Sequence, residues 1–173
     1  MIRLLDLLLS LIGLIILLPL MILIFIICLI ENRSPIFKQK RVGHNQKLFR
    51  LIKFRTMKKE TRSVATHLID NSMITKSGNF LRRSKLDEVP QLFNVLNNQM
   101  SLVGPRPERP EIDLVLKKNI PCYMDRYKIK PGLSGWAQVN FHYASSIEDT
   151  KIKFGYDLYY LSNFSILLDL LIF

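Results

Sequence analysis

Leu7-Leu-Leu-Ser-Leu-Ile-Gly-Leu-Ile-Ile-Leu-Leu-Pro19-Leu-Met-Ile-Leu-Ile-Phe-Ile-Ile-Cys-Leu-Ile30 carries no charged residue. About 20 apolar residues suffice to span the hydrocarbon core of a bilayer, so this run is a membrane helix by length. A cleavable secretory signal fits less well. The run is too long, and Glu31-Asn-Arg-Ser34 succeeds it without a small-residue cleavage pattern. Pro19, near the middle, deletes one backbone hydrogen bond and crowds the preceding turn, so a kink is expected there. Two geometries satisfy this pattern. One is a spanning helix with a tolerated proline. The other is a helix that bends over residues 13–19 and returns to the side it entered.

The remainder of the chain has the opposite character. The chain has 173 residues, enough for one domain with a modest core. Arg3, Asp6 and Glu31 are the only charges among the first 31 residues, so 24 of the 25 Lys and Arg, but only 12 of the 14 Asp and Glu, lie beyond them. Such a body is drawn to anionic surfaces, either a membrane or an anionic substrate. Lys38, Lys40, Arg41, Lys47, Arg50 and Lys53 come soon after the membrane segment, which predicts a cytoplasmic body by the positive-inside bias. Residues 1–33 are therefore read as the membrane-embedded part and residues 34–173 as a cytoplasmic, membrane-associated domain. Cys28 and Cys122 have no CxxC spacing, and His44, His67 and His142 are dispersed, so neither a disulfide nor a thiolate or imidazole metal site is expected. The basic residues alternate with prolines and apolar segments and form no DNA- or RNA-binding motif, so nucleic acid is not an expected partner.

Within the body, residues 36–43 and 47–57 alternate and read as two strands of a hairpin turning around residues 43–45. Residues 60–75 are polar and poorly periodic and read as a loop. Residues 77–83 read as a helix. Residues 88–97 read as another, with Val89, Leu92, Phe93 and Leu96 at helical spacing. Pro90 is comfortable only in a first turn, which predicts Asp87 as the N-cap. Residues 100–103 read as a brief strand, 111–118 as a helix, 131–135 as a turn and 136–139 as a strand. Residues 148–163 read as a helix, and 165–173 as an amphipathic or membrane-lying helix. The expected fold class is α+β and mostly helical, with a short β-hairpin or sheet and helices on the membrane surface.

The chemistry concentrates in Lys85-Leu-Asp-Glu-Val-Pro-Gln-Leu-Phe-Asn-Val-Leu96 and Ser101-Leu-Val-Gly-Pro-Arg-Pro-Glu-Arg-Pro110. Adjacent carboxylates, Asp87 and Glu88, stand among Arg82, Arg83 and Lys85. Carboxylates can hold a hard cation or attack phosphorus, and cations can hold a polyphosphate. Asp87 at a helix N-terminus can simply cap it, or form a capping box with Ser84. The same position can also meet a phosphate drawn there by free N–H groups. Glu88 can add to a divalent-cation site, and Mg²⁺ needs only one or two carboxylates besides phosphate oxygens and water. Arg106, between Pro105 and Pro107, sits on a stiffened backbone and can grip a phosphate through two N–H groups, or serve only a surface turn. Arg109 in the same segment is a further candidate phosphate contact. Lys53 and Arg55 share one face of an extended Lys53-Phe-Arg-Thr-Met57, which suits either phosphate binding or plain solvation. Gln138 is a polar residue in an apolar strand-like stretch and is a candidate substrate contact.

Taken in order, these segments resemble the bacterial sugar transferase family, the monotopic polyprenyl-phosphate phosphoglycosyl transferases. The resemblance rests on the proline-bearing apolar N-terminus, Lys53-Phe-Arg-Thr-Met57, Phe80-Leu-Arg-Arg83, Leu86-Asp-Glu-Val-Pro-Gln-Leu-Phe-Asn-Val95, Ser101-Leu-Val-Gly-Pro-Arg-Pro107, Lys130-Pro-Gly-Leu-Ser-Gly-Trp-Ala-Gln-Val-Asn140 and Asp157-Leu-Tyr-Tyr-Leu161. It covers nearly the whole chain and looks like the short form, the catalytic core alone. It implies transfer of a sugar-1-phosphate from a UDP-sugar to undecaprenyl phosphate with release of UMP, the first membrane step of surface glycan assembly. It implies that Asp87 attacks the β-phosphate to form a covalent phosphosugar enzyme, and that Mg²⁺ (or Mn²⁺) is the cofactor, held at Asp87. It implies that Arg82 and Arg106 surround the phosphates, and that the membrane helix is re-entrant at Pro19. The partners it implies are membrane lipids, downstream glycosyltransferases and a second copy of the chain, at the cytoplasmic face of the bacterial inner membrane. Leu18 replaces a serine common before that proline, and Phe141 and His142 replace the usual Gly-Arg. The chain also stops at Phe173 inside an apolar run, which fits a truncated C-terminus. A non-catalytic membrane-anchored scaffold, with Asp87 as a cap only, is the alternative reading.

Overall fold

The computed structural model describes residues 2–58, 73–141 and 146–172. Helix α1, Ile2–Asn32, is the one helix among the described residues long and apolar enough to cross a membrane. It continues on both sides of Pro19, so the helix does not end at the proline. The physical reason is local: a proline withholds one N–H from the ladder, and the turns on either side keep their own bonds.

One stripe of α1 is buried: Asp6, Ser10, Leu14, Met21, Ile24, Cys28 and Asn32. These positions recur at helical spacing and face the body. The rest of the helix, including Ile15, Ile16 and Ile30, is exposed, an apolar surface that only lipid covers comfortably. Both ends of α1 are tied down. Asp6 accepts from the Ser101 hydroxyl at 2.8 Å and the Leu102 N–H at 3.0 Å. Arg3 donates to the Val95 carbonyl at 2.8 Å. At the far end, Glu31 accepts from the Ser77 hydroxyl and, at 3.3 Å, from the Ser77 N–H.

Strands β1, Ile36–Val42, and β2, Leu48–Phe54, pair antiparallel with Ile36 opposite Phe54, the hairpin that the alternation predicts. Helix α2, Lys76–Arg83, is capped by the Thr75 hydroxyl, which accepts from the Gly78 N–H at 3.0 Å. Helix α3 is Gln91–Leu96, shorter than the predicted helix, and is succeeded by β3, Ser101–Val103, and α4, Pro110–Asn119. β3 pairs parallel with β4, Gly132–Ser134. Helices α5, Trp136–Asn140, α6, Ile147–Ser162, and α7, Ile166–Ile172, complete the chain. The fold is α+β and mostly helical, as expected.

Two local expectations are corrected. Residues 132–134 form a strand rather than a turn, and the predicted strand at 136–139 is helix α5. The glycines explain the first. A Cβ on Gly132 would collide with the Gly104 amide nitrogen, so only glycine lets these backbones approach. The apolar residues that suggested a strand sit on a short helix against α6, where Trp136 stacks on Tyr159 at 5.9 Å. Most of the predicted loop at 60–75, together with His67 and His142, lies outside the described residues.

The main core lies beneath α1, where Leu14, Met21 and Ile24 meet Phe49, Leu51, Phe54, Leu81, Val95 and Met100. A second cluster joins Val42, Leu116, Tyr123, Tyr127 and Phe154. α7 buries Leu168 and Ile172 against Val103 and Tyr160 and leaves Leu167, Leu170 and Leu171 exposed, the two-faced pattern of a helix lying on a membrane.

Candidate active site

The carboxylate pair sits on a tight turn between α2 and α3. Ser84 closes α2, its hydroxyl donating back to the Phe80 carbonyl at 2.9 Å, so it forms no capping box with Asp87. Lys85 then takes a left-handed conformation (φ 59°), and residues 86–88 make one 3₁₀ turn. Asp87 is inside that turn and is not an N-cap: the N-cap position of α3 falls to Pro90. The correction has a clear cause. Residues 86–88 already turn behind the left-handed Lys85, and Val89 and Pro90 keep helical φ and ψ into α3, so Asp87 lies inside this run of turns rather than at its start. The free N–H groups of α3 therefore do not stand at Asp87, and cations take over the task of drawing in a phosphate.

Asn94 positions the turn. Its side chain donates to the Arg50 carbonyl at 2.8 Å and accepts from the Ile52 N–H at 3.0 Å, locking α3 to β2. This brings Lys53, the next residue of that strand, within electrostatic reach of Asp87 and Glu88. Arg82 donates from Nε to the Thr56 hydroxyl at 2.8 Å, and its charge reaches Asp87. Arg106 arrives from the segment after β3. Its Nη2 donates to Glu88 Oε1 at 2.8 Å and its Nη1 to Oε2 at 3.4 Å.

The two carboxylates are thereby made different. Asp87 is 5% exposed, and among the described residues nothing donates a hydrogen bond to its carboxylate. Burial pushes its pKa above the ordinary value; Lys53 opposes that rise and the Glu88 charge adds to it. Burial would raise Glu88 as well, but Arg106, by its charge and its hydrogen bonds, holds the group below its ordinary value. Lys53 is pushed down, chiefly by burial. The result is an ionised, occupied Glu88 beside a carboxylate with free lone pairs, a disposition that favours attack or metal binding at Asp87.

A cleft of about 910 Å³ opens onto this turn. Leu9, Gly13 and Leu17 of α1 line one wall. Gln138, Phe141 and Lys153 line the cleft from α5, the residue after that helix, and α6, and Lys85, Glu88 and Arg106 add charged groups to the lining. An apolar wall contributed by a membrane helix, together with these charged groups, suits an amphiphile with an anionic head.

The family model described as bacterial sugar transferase matches residues 1–173. The chain belongs to the bacterial sugar transferase family. It is 42% identical over 157 residues to a UDP-N-acetylgalactosamine-undecaprenyl-phosphate N-acetylgalactosaminephosphotransferase of Aeromonas hydrophila, covering 89% of this chain and 37% of that protein. It is 41% identical to a UDP-glucose:undecaprenyl-phosphate glucose-1-phosphate transferase of Escherichia coli, covering 78% and 30%. It is 44% identical to an uncharacterized sugar transferase, EpsL, of Bacillus subtilis, covering 79% and 65%. The chain thus spans about a third to two thirds of the length of these curated relatives.

In this sugar transferase the structure gathers Asp87, Glu88, Lys53, Arg82 and Arg106, as the sequence predicts. Arg55 is not brought to the dyad: its Nε donates to the Ser34 carbonyl at 3.0 Å and its guanidinium lies over the Phe37 ring. Lys53 is the last strand residue but one and Arg55 lies past the strand's end, so the expectation of one shared face fails there. Arg109 stands at the N-cap position of α4, near Arg41. Gln138 does line the cleft, but from a helix rather than a strand, with its Oε1 buried and unbonded.

Three residues escaped sequence reasoning. Arg126 is buried, donates from Nε and Nη2 to Asp157 Oδ2 at 3.2 and 2.9 Å, and from Nη2 to the Arg106 carbonyl at 2.9 Å. Arg41 donates to the Pro107 carbonyl at 2.9 Å. Two arginines thus clamp, from behind, the backbone that prolines already stiffen. The third, Lys153, lies in the cleft wall. Its one signal in the sequence was its place four residues before Asp157, on the same face of α6.

Proposed function

We propose that this chain transfers a sugar-1-phosphate from a UDP-sugar to polyprenyl phosphate, with release of UMP, through a covalent intermediate on Asp87. The observation that carries this reading is the buried Asp87 carboxylate in a tight turn whose Lys85 and Glu88, with Arg106, line a cleft also lined by the apolar helix α1. The names of the relatives supply the substrates: UDP-sugars and undecaprenyl phosphate.

In the first half-reaction an Asp87 oxygen attacks the β-phosphorus. The bond from that phosphorus to the bridging oxygen breaks, and UMP departs with its electrons. Lys53, Arg82 and Arg106 balance the charge that the diphosphate brings. Glu88 grips the Arg106 guanidinium through Nη1 and Nη2, which fixes where that charge stands. In the second half-reaction an oxygen of polyprenyl phosphate attacks the same phosphorus, and the Asp87 carboxylate leaves unchanged. The two steps let one anionic substrate vacate the site before the other arrives. The lipid-linked product then passes to downstream glycosyltransferases.

The donor set fits a hard divalent cation. No group of three or more His, Cys, Asp or Glu side chains occurs among the described residues, and none is needed, because Mg²⁺ accepts one or two carboxylates with phosphate oxygens and water. Asp87, with Glu88 beside it, would hold Mg²⁺ or Mn²⁺, which when bound would neutralise developing phosphate charge. The purified protein in detergent, tested against a panel of UDP-sugars with undecaprenyl phosphate, should release UMP with at least one of them. EDTA should abolish that release and Mg²⁺ restore it. No UMP from any UDP-sugar leaves the membrane-anchored scaffold as the better reading.

The anchoring of both helix ends supports a re-entrant topology, and the basic residues that succeed the helix favour the cytoplasmic face. α1 is about 45 Å long at 1.5 Å per residue, yet its two ends bond to the same basic body. A spanning helix would carry one of those anchors, and the charged body with it, across the bilayer. Ile2→Cys and Arg33→Cys should therefore react from the same, cytoplasmic side with a membrane-impermeant maleimide; labelling from opposite sides contradicts the topology.

A further inference from the structure

Lys153 lines the cleft from α6, as Leu9, Gly13 and Leu17 do from α1. Its place on the helix is set by period: Lys153, Asp157 and Tyr160 fall at i, i+4 and i+7, and Asp157 and Tyr160 are buried. The lysine therefore points the same way as the buried face of its helix and not toward solvent. The helix is held in place by α5 and the residue after it, with Trp136 on Tyr159 at 5.9 Å and Phe141 on Tyr156 at 6.4 Å.

Among the described residues Lys153 makes no hydrogen bond and no ion pair. Asp157, the carboxylate one turn on, is already committed to Arg126. Glu108 and Asp157 favour the lysine's charge from farther off, while Arg126 and Arg106 oppose it, and burial lowers its pKa. A sunken ammonium without a partner, facing a cavity, is costly unless an anion arrives. Two other features of the same wall are also open. Gln138 Oε1 is buried without a donor, and Phe141 lines the same cleft. An acceptor amide and an aromatic ring suit a pyrimidine base, which offers a ring N–H and a face for stacking. The α1 wall, by contrast, is aliphatic and suits the lipid.

We propose that Lys153 is a substrate contact for the nucleotide-sugar, its ammonium taking the diphosphate while Gln138 and Phe141 receive the base. The α5–α6 wall is then the nucleotide side of the cleft, and the α1 wall the polyprenyl side. This rests on the transferase reading above and adds which residues meet which substrate.

The test compares wild type, Lys153→Gln and Lys153→Arg in detergent, by calorimetric binding of UDP and of uridine and by steady-state kinetics. Losing one charged contact should weaken UDP binding and raise KM for the UDP-sugar by about 10- to 100-fold in Lys153→Gln. KM for polyprenyl phosphate and the affinity for uridine should stay within about twofold of wild type, and Lys153→Arg should recover most of the loss. UDP binding unchanged in Lys153→Gln overturns the proposal, and so does an equal loss for uridine, which would mark a structural role. A raised KM for polyprenyl phosphate alone also overturns it by placing Lys153 on the lipid side. In these cases wild-type UMP release still stands. A wild type that neither binds UDP nor releases UMP removes the transferase reading itself.

Discussion

Asp87→Asn is expected to leave the protein folded and to slow UMP release by roughly three orders of magnitude or more, the scale seen when a nucleophile is removed. The substitution keeps the side chain's size and breaks no hydrogen bond among the described residues, since nothing there donates to the carboxylate. Near-normal turnover in this variant would remove Asp87 as nucleophile. Glu88→Gln should be impaired for a different reason: it loosens the fork through which Arg106 is held. The pH profile reports the same group. Only ionised Asp87 can attack, and burial raises its pKa in the metal-free protein, so at subsaturating Mg²⁺ the acid limb of kcat/KM should lie above the ordinary aspartate value of about 3.9. Lys53 favours the ionised form, so Lys53→Gln should move that limb to still higher pH. A limb unmoved by Lys53→Gln would mean that another group controls it.

Arg126→Leu is expected to destabilise the fold more than any change at the dyad. It strands the Asp157 carboxylate in the interior, and breaking a buried pair from one side costs about 3–5 kcal/mol. For a chain of this size that is roughly 6–20 °C in Tm. It also removes the donor to the Arg106 carbonyl, so activity should fall even at temperatures where the variant is folded. The double variant Arg126→Leu/Asp157→Leu separates the two effects. Replacing both partners with apolar groups should recover much of the Tm. It should not recover activity, because the Arg106 carbonyl still lacks the Arg126 donor. Recovery of both would show that the pair serves stability alone.

The sequence was legible where its signals are local. The hairpin could be read because Ile36–Val42 and Leu48–Phe54 alternate and a compact turn joins them. α4 and α6 fall within one residue of the predicted bounds, and the structure adds what holds their starts, Pro110 in the first turn of one and a capping box of Ser146 and Asp149 at the other. The carboxylate pair and Arg82 were legible as near neighbours in sequence, and Lys53 and Arg106 by their own local motifs. The readings that failed depended on contacts between distant segments. β4 exists because Gly132 lets its backbone press on Gly104, and no pattern within residues 131–135 announces a partner strand. The 3₁₀ turn at Asp87 depends on Lys85 taking a left-handed conformation, which is rare for lysine and not inferable from propensity. Arg126 and Lys153 belong to the site only because residues 123–128 and helix α6 fold back toward the Arg106 segment. In sequence they are two basic residues among 25.

The central claim is that Asp87 becomes covalently loaded before the lipid phosphate enters. Intact-protein and peptide mass spectrometry, after incubation with a UDP-sugar alone, tests it most directly. The account predicts one added sugar-phosphate on the peptide containing Asp87, UMP released in equal amount without any polyprenyl phosphate, and neither in Asp87→Asn. An unmodified wild-type protein that releases UMP only when both substrates are present would contradict it and establish direct displacement.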